Sequence, residues 1–388
     1  MPAAYACTRE AMNGVAGAGA GLGMAILATC VTVPASIAVA QRADFLDRPR
    51  EYHGHGFATP LLGGAAVLFA VLLSAAALGA ISGRWAVALG CAVALCALGT
   101  RDDRVAVAPK WRLLAEAGVG AALFAVGLRF RIGAGDGLDL LATIVWVVVV
   151  VNAFNLMDNL DGACATVALT CGVGLGTLAA LQHDWDATVI AFALTGATAA
   201  FLRWNLASPS RQFLGDGGSM PIGMLIAVLG LAVTGHRGAS GPLGACMYAG
   251  LPLLDTALVS VSRYRQGVPL VTGGRDHLSH RLLGALGGPK RVALTLCLVQ
   301  AGLSAVAVIC DRVGAGAVIV SSAIVLLGGL AAIAMLDTTR WRRPLIATAV
   351  TVPPPATRVG TAVTVPGPPV LRALQVAAVA AHAEADQG

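Results

Sequence analysis

The sequence predicts an all-α, polytopic integral membrane protein with about eleven transmembrane helices. Three observations carry that reading. Only 12% of the 388 residues are charged and 57% are hydrophobic. A soluble domain carries about 25% charged residues, so this chain cannot cover a water-facing surface. Its apolar runs repeatedly approach the ~20 residues that cross a bilayer. A lone strand would leave its backbone unpaired in lipid, so each run is read as a helix.

The runs lie near 15–40, 60–80, 84–99, 113–128, 138–156, 163–181, 187–202, 219–235, 242–262, 291–310 and 314–336. The first is too long for a signal-peptide core and lacks a cleavage pattern, which predicts a retained helix. Its glycines at 17, 19, 21 and 23 fail the G-x-G-x-x-G spacing, and no strand precedes them. The pairs Gly17/Gly21 and Gly19/Gly23 instead fit close helix packing in lipid.

Arginine and lysine set the orientation. With the N-terminus outside, the inward loops hold Arg42, Arg101, Lys110, Arg203, Arg275 and others. The outward side keeps Arg9, Arg84, Arg129, Arg131, Arg237 and Arg312, an asymmetry of about three to one. An odd number of spans then puts the C-terminus in the cytoplasm. The formal charge of +6 is scattered through short loops. That pattern suits a membrane surface and gives no reason to expect nucleic acid. Most of the nine cysteines, such as Cys30, Cys91, Cys171 and Cys297, sit inside apolar runs. With no C-x-x-C spacing, neither disulfides nor a zinc site are expected. Residues 1–340 are read as one membrane-embedded domain. Residues 341–388, with Pro353, Pro354 and Pro355 in a row, are read as a disordered cytoplasmic tail.

Four polar clusters fall in or beside inward loops. The first is Arg101-Asp102-Asp103-Arg104, followed by Lys110 and Arg112. Adjacent carboxylates repel, so a cation or nearby bases would help keep both ionised. The second runs from Asn152 through Asn155 and Asp158 to Asp161 and Gly162. Its four polar residues are three apart and share one helical face. Amide and carboxylate oxygens suit a hard ion such as Mg²⁺, and a polar stripe after Val147–Val151 is costly in lipid. The third, Gly215-Asp216-Gly217-Gly218-Ser219, lets backbone N–H groups and a carboxylate converge on phosphate and metal; alone it could be a mere turn. The fourth, Asp276-His277-Leu278-Ser279-His280-Arg281, has no thiolates nearby, which favours phosphate over zinc. Acids in the outward loops, Asp136, Asp139, Asp184, Asp186 and Asp311, form no comparable motif.

Taken in order, these motifs resemble those of the polyprenyl-phosphate sugar-1-phosphate transferase superfamily. Asp47-Arg48-Pro49, Tyr52 with His55, and Thr59-Pro60-Leu61-Leu62-Gly63-Gly64 look like the first family loop. The Asp pair, the Asn/Asp helix, the Gly-Asp-Gly-Gly-Ser turn, Pro252-Leu253-Leu254-Asp255-Thr256 and the His-x-x-His-Arg loop follow in family order. Departures are His53 and Arg112 where the family has lysine, Glu116 for a glutamine, and Ser279 for a middle histidine. Lack of the histidine triplet favours the N-acetylglucosamine-1-phosphate branch over the phospho-N-acetylmuramoyl-pentapeptide transferases.

The resemblance implies an inner-membrane enzyme with its site on the cytoplasmic face. It would move a sugar-1-phosphate, most simply N-acetylglucosamine-1-phosphate, from a UDP-sugar to a polyprenyl phosphate, releasing UMP. It implies Mg²⁺, or Mn²⁺ in its place, on Asn155 and Asp216. Asp102, Asp103, Asp158 and Asp161 would be catalytic. His55, Arg112, Asn152, His277, His280 and Arg281 would bind substrate. A homodimer is compatible with the sequence. The rival from another class is a transporter, which predicts polar groups near mid-membrane; only Asp255 and Glu116 depart from the one-face pattern.

Overall fold

A computed structural model describes residues 2–48, 58–270 and 274–338, with side chains from Ala16 onward. All of them belong to a unit over Met1–Ala347. Among the described residues the chain forms thirteen helices. They are α1 (Pro2–Arg42), α2 (Gly63–Ala77), α3 (Gly83–Arg104), α4 (Pro109–Ala125), α5 (Asp136–Met157), α6 (Ala163–Leu181) and α7 (Trp185–Asn205). Then come α8 (Asp216–Thr234), α9 (Ser240–Tyr248), α10 (Gly250–Gln266), α11 (Leu278–Leu286), α12 (Pro289–Val313) and α13 (Ala315–Leu336). The strands β1 (Leu46–Asp47) and β2 (Thr59–Pro60) form a short antiparallel ladder, with Leu46 opposite Pro60 and Asp47 opposite Thr59.

Every expected run lies on a helix, and among the described residues not every one of those helices is by itself long and apolar enough to cross a membrane. Eight helices are long and apolar enough to cross a membrane: α1, α3, α5, α6, α7, α8, α12 and α13. The run expected over 242–262 is two helices, α9 and α10, bent by 87°, which makes nine if the pair is one span. Helix α2 has only 15 residues. The 17-residue α4 carries Lys110, Arg112 and Glu116. Helix α11 was not anticipated, because His280 and Arg281 interrupt its short apolar run.

The break between α9 and α10 is sealed by a side chain. Gln300 of α12 is fully buried. Its Oε1 accepts from the Leu251 N–H at 3.0 Å, and its Nε2 donates to the carbonyls of Met247 at 3.2 Å and Tyr248 at 3.1 Å. Backbone groups released by a broken helix must find partners away from water. Gln300→Leu keeps the volume and removes all three bonds. Each buried group left unpaired costs about 1–3 kcal/mol, so thermal unfolding in detergent is expected to show a loss of about 3 kcal/mol or more. An unshifted midpoint would show that the break does not depend on Gln300.

Helix α8 is the centre of the bundle, with α2, α3, α5 and α6 packed around it. Nearly every one of its residues is buried. The periphery is different. Leu27 and Val31 of α1 and Ile324, Leu326 and Leu327 of α13 are each more than 60% exposed. Apolar surface of that extent requires lipid. The glycine pairs of α1 divide. A Cβ on Gly17 or Gly21 would overlap Trp185 or Val189 of α7, while Gly19 and Gly23 face open space. Among the described residues only the first pair packs against another helix.

Successive spans alternate in direction, so the C-terminal ends of α3, α5, α7, α10 and α13 gather with the N-terminal ends of α4, α6, α8 and α12. The opposite end is tied by Arg84–Asp184 at 2.7 Å and Arg237–Asp311 at 2.6 Å.

Candidate active site

Two loops build the floor of the gathered end. Phe213 N–H donates to the Pro60 carbonyl, and the N–H groups of Gly63 and Gly64 donate to the carbonyls of Phe213 and Leu214. Asn205 fixes the same loop: its Oδ1 accepts from Gly162 N–H at 2.7 Å and its Nδ2 donates to the Gln212 carbonyl at 3.1 Å. A Cβ on Gly64 would come within 1.9 Å of the Gly218 Cα. Only paired glycines let the α2 and α8 N-termini approach so closely.

Arg112 stands where three helices meet. Its Nη1 donates to Asp102 Oδ2 of α3 at 2.6 Å and to Asp216 Oδ2 of α8 at 3.1 Å; its Nη2 donates to Asn155 Oδ1 of α5 at 2.8 Å. The Asn155 amide nitrogen donates to Asp216 Oδ1 at 2.7 Å and to Ser219 Oγ at 3.0 Å. Asp102 accepts a further bond from Val107 N–H at 2.6 Å. Asp103 faces the other way: its two oxygens accept from the N–H groups of Asp216 at 2.8 Å and Gly217 at 3.1 Å. Five residues expected at the site, Asp102, Asp103, Arg112, Asn155 and Asp216, are thus joined by direct bonds.

Asn152 sits one turn deeper and donates to Glu116 and to the Val148 carbonyl. Asp158 caps the end of α5. Burial pushes its carboxyl well above the ordinary carboxylate range, and the negative charges of Asp216, Asp103 and Asp161 push it further. In the loop after α5, Ser279 Oγ of α11 donates to Asn159 Oδ1. This bond brings the histidine motif to the end of the Asn/Asp helix.

His277 is buried, and its Nδ1 lies 2.9 Å from Asp255 Oδ2. Asp255 also accepts from the Leu278 N–H at 2.6 Å, so one carboxylate orients the imidazole and caps α11. His280 lies beside it, with ring centroids 6.3 Å apart. Arg281 is placed differently. Its buried guanidinium donates to the carbonyls of Asp276 and Leu336 and to Ser262 Oγ. Asp276 in turn holds Arg263 through two bonds of 2.9 and 3.0 Å. These arginines fasten the loop to α10 and α13. His55 lies outside the described residues.

The sequence missed several partners. Asn159 and Ser219 lie inside motifs already singled out, but nothing marked their contacts. Glu116 and Asp255 were marked as polar residues out of place in apolar helices. They are not mid-membrane groups of a carrier, since both bond residues of the gathered end.

The donor set suits a hard divalent cation. The carboxylates of Asp102 and Asp216 and the amide oxygen of Asn155 converge on one cationic group, now the Arg112 guanidinium, and such oxygens are the ligands a hard ion takes. No group of three or more His, Cys, Asp or Glu side chains is arranged for a metal among the described residues. Two of the oxygens expected to ligate, on Asp216 and Asn155, hold Arg112 here.

Comparison with known proteins identifies relatives of this chain. The family model described as glycosyl transferase family 4 matches residues 85–234, which include both halves of the Arg112 cluster. A Streptomyces coelicolor protein with a provisional glycosyltransferase name is 32% identical over 310 residues, covering 76% of this chain and 71% of the relative. The undecaprenyl-phosphate alpha-N-acetylglucosaminyl 1-phosphate transferase of Escherichia coli is 26% identical over 69% of this chain and 76% of its own. The decaprenyl-phosphate N-acetylglucosaminephosphotransferase of Mycobacterium leprae is 28% identical over 67% of this chain and 75% of its own.

Proposed function

We propose, from the premise that this chain belongs to glycosyl transferase family 4, the polyprenyl-phosphate sugar-1-phosphate transferases, that it transfers N-acetylglucosamine-1-phosphate from UDP-N-acetylglucosamine to polyprenyl phosphate. The observation that carries the reading is the Arg112 cluster. One guanidinium and three helix ends hold Asp102, Asn155 and Asp216 together at a single end of the bundle. This is the equipment of phosphoryl transfer, in which positioning and charge neutralisation dominate.

In the reaction an oxygen of the lipid phosphate attacks the sugar-bearing phosphorus of the UDP-sugar. The bond from that phosphorus to the bridging oxygen breaks, and UMP leaves with the electron pair. The product is a polyprenyl diphosphate sugar. Arg112, with both Nη1 N–H groups and one of Nη2 committed to Asp102, Asp216 and Asn155, would offer its remaining Nε and Nη2 N–H groups to diphosphate oxygens. His277, held through Nδ1 by Asp255, offers Nε2 to the same group. Asp102 orients the attacking phosphate, and Asp158, Asp161 and Asn152 shape the nucleotide end. Arg281 acts at one remove by fixing the His277 loop.

Mg²⁺ would be held by Asp216 and Asn155, and when bound it would supply charge neutralisation for the phosphate oxygens of the departing UMP. The same side-chain oxygens now bond Arg112, so ion and guanidinium compete for them. The excess of arginine and lysine at the site end supports a cytoplasmic orientation, where UDP-sugars are made.

The test is transfer of radiolabel from a panel of UDP-sugars to polyprenyl phosphate by the purified protein. N-acetylglucosamine should be the sugar transferred, EDTA should abolish the activity, and Mg²⁺ or Mn²⁺ should restore it. Undiminished transfer in a metal-free preparation would remove the ion from the reaction. Preference for the muramoyl-pentapeptide donor would favour the sister branch.

A further inference from the structure

Helix α8 begins without a cap of its own. Gly215 occupies the N-cap position at φ 69° and brings no side chain. Its carbonyl accepts from Gly218 and Ser219, which leaves the N–H groups of Asp216 and Gly217 without partners inside the helix. Both are taken by Asp103, one by each carboxylate oxygen, at 2.8 and 3.1 Å.

The surroundings are shaped for that carboxylate. A Cβ on Gly215 would lie 2.5 Å from Asp103 Oδ2, in the space where an ordinary N-cap side chain would stand. One turn earlier on α3, a Cβ on Gly99 would meet the Asp216 carbonyl at 2.2 Å, and one on Gly217 would meet Thr100 Oγ1 at 2.4 Å. Two helices are therefore pressed together so that an acid of α3 can cap α8. Asp102, its neighbour, points to Arg112 and to Val107 N–H instead. The adjacent acids have separate partners.

We infer that Asp103 is a positioning residue, which caps α8 from α3 and so sets where the Asp216 carboxylate stands, and is not the base for the lipid phosphate. Its effect on turnover rests on the transferase reading; the cap itself does not. Asparagine keeps an acceptor oxygen at the reach of the carboxylate, serine's oxygen stops one bond short of it, and alanine has none.

The experiment compares Asp103→Asn, Asp103→Ser and Asp103→Ala by transfer kinetics and by hydrogen-exchange mass spectrometry of the segment holding Asp216 and Gly217. Asp103→Asn loses one of two bonds, so turnover should fall by no more than about tenfold, with α8 still protected. Asp103→Ser, too short to reach α8 from α3, should behave like Asp103→Ala. Asp103→Ala should lose amide protection and turnover together. The inference is overturned if Asp103→Asn loses the ~10²–10⁴-fold expected for a missing general base while α8 stays protected. It is also overturned if Asp103→Ala leaves the exchange of the α8 N-terminus unchanged. Should the unsubstituted protein transfer no sugar phosphate, the transferase reading fails, and the exchange measurements still decide the cap.

Discussion

Asp216→Asn is expected to reduce turnover on the order of 10²–10³-fold, the scale on which loss of one dominant electrostatic partner acts. The substitution keeps size and one oxygen but removes the charge shared by Arg112 and Asn155. The Asp103 bond to the residue 216 N–H is to backbone and survives, so the helix start should hold. Asp102→Asn should be milder if the lipid phosphate arrives ionised. Its defect should then shrink as pH rises past the second phosphate pKa of about 6. Raising pH should not rescue Asp216→Asn, because protonation was never its deficit. Transfer by both variants from about pH 6 to 9, with folding checked separately, is the measurement. Wild-type turnover by Asp216→Asn at limiting Mg²⁺ would mean that the proposed metal position is wrong.

Arg112→Ala should be nearly as damaging and in a second currency as well. The guanidinium is the cation that directly bonds Asp102, whose side chain is 8% exposed, and Asp216. Removing one partner of a buried pair leaves uncompensated charge, with measured costs of about 3–5 kcal/mol. Partial exposure of Asp216 lowers that figure, so a loss of about 2–3 kcal/mol is expected, with turnover down on the order of 10²-fold. Mg²⁺ should raise the unfolding midpoint of Arg112→Ala more than that of the unsubstituted protein, since the ion no longer competes with the guanidinium. Arg112→Lys should fall between, because an ammonium cannot bond three acceptors in a fixed fork. Equal Mg²⁺ shifts in all three proteins would show that ion and guanidinium do not share a place.

Much of the site was legible because its chemistry is costly in lipid. Asn152, Asn155 and Asp158 stand out after five consecutive valines, and three-residue spacing put them on one face. What spacing cannot give is the partner across the bundle. Asp102 and Asp103 are adjacent and alike in sequence; only the packing of α3 on α8 turns one to a guanidinium and the other to backbone. Arg281 looked like a phosphate clamp beside two histidines, yet its donors are bonded to Asp276, Leu336 and Ser262. The fold was legible to a similar depth. Apolar length located the helices, but the 87° bend inside one apolar run has no hydropathy signature. The side chain that takes up its freed backbone groups, Gln300, lies about fifty residues away in sequence.

The enclosure of α8 has a consequence for how the protein meets different membranes. A bilayer thicker or thinner than a protein's apolar belt is accommodated by tilting or by local deformation of the helices that touch it. Here those include α1, α12 and α13 and the outer faces of α3, α4 and α5, where Leu298, Val93, Leu114 and Leu141 are exposed, while the helix bearing Asp216 is wrapped by α2, α3, α5 and α6. Changes in acyl-chain length therefore act directly on the helices that carry Asp102, Arg112 and Asn155, and reach Asp216 on the enclosed α8 only through them.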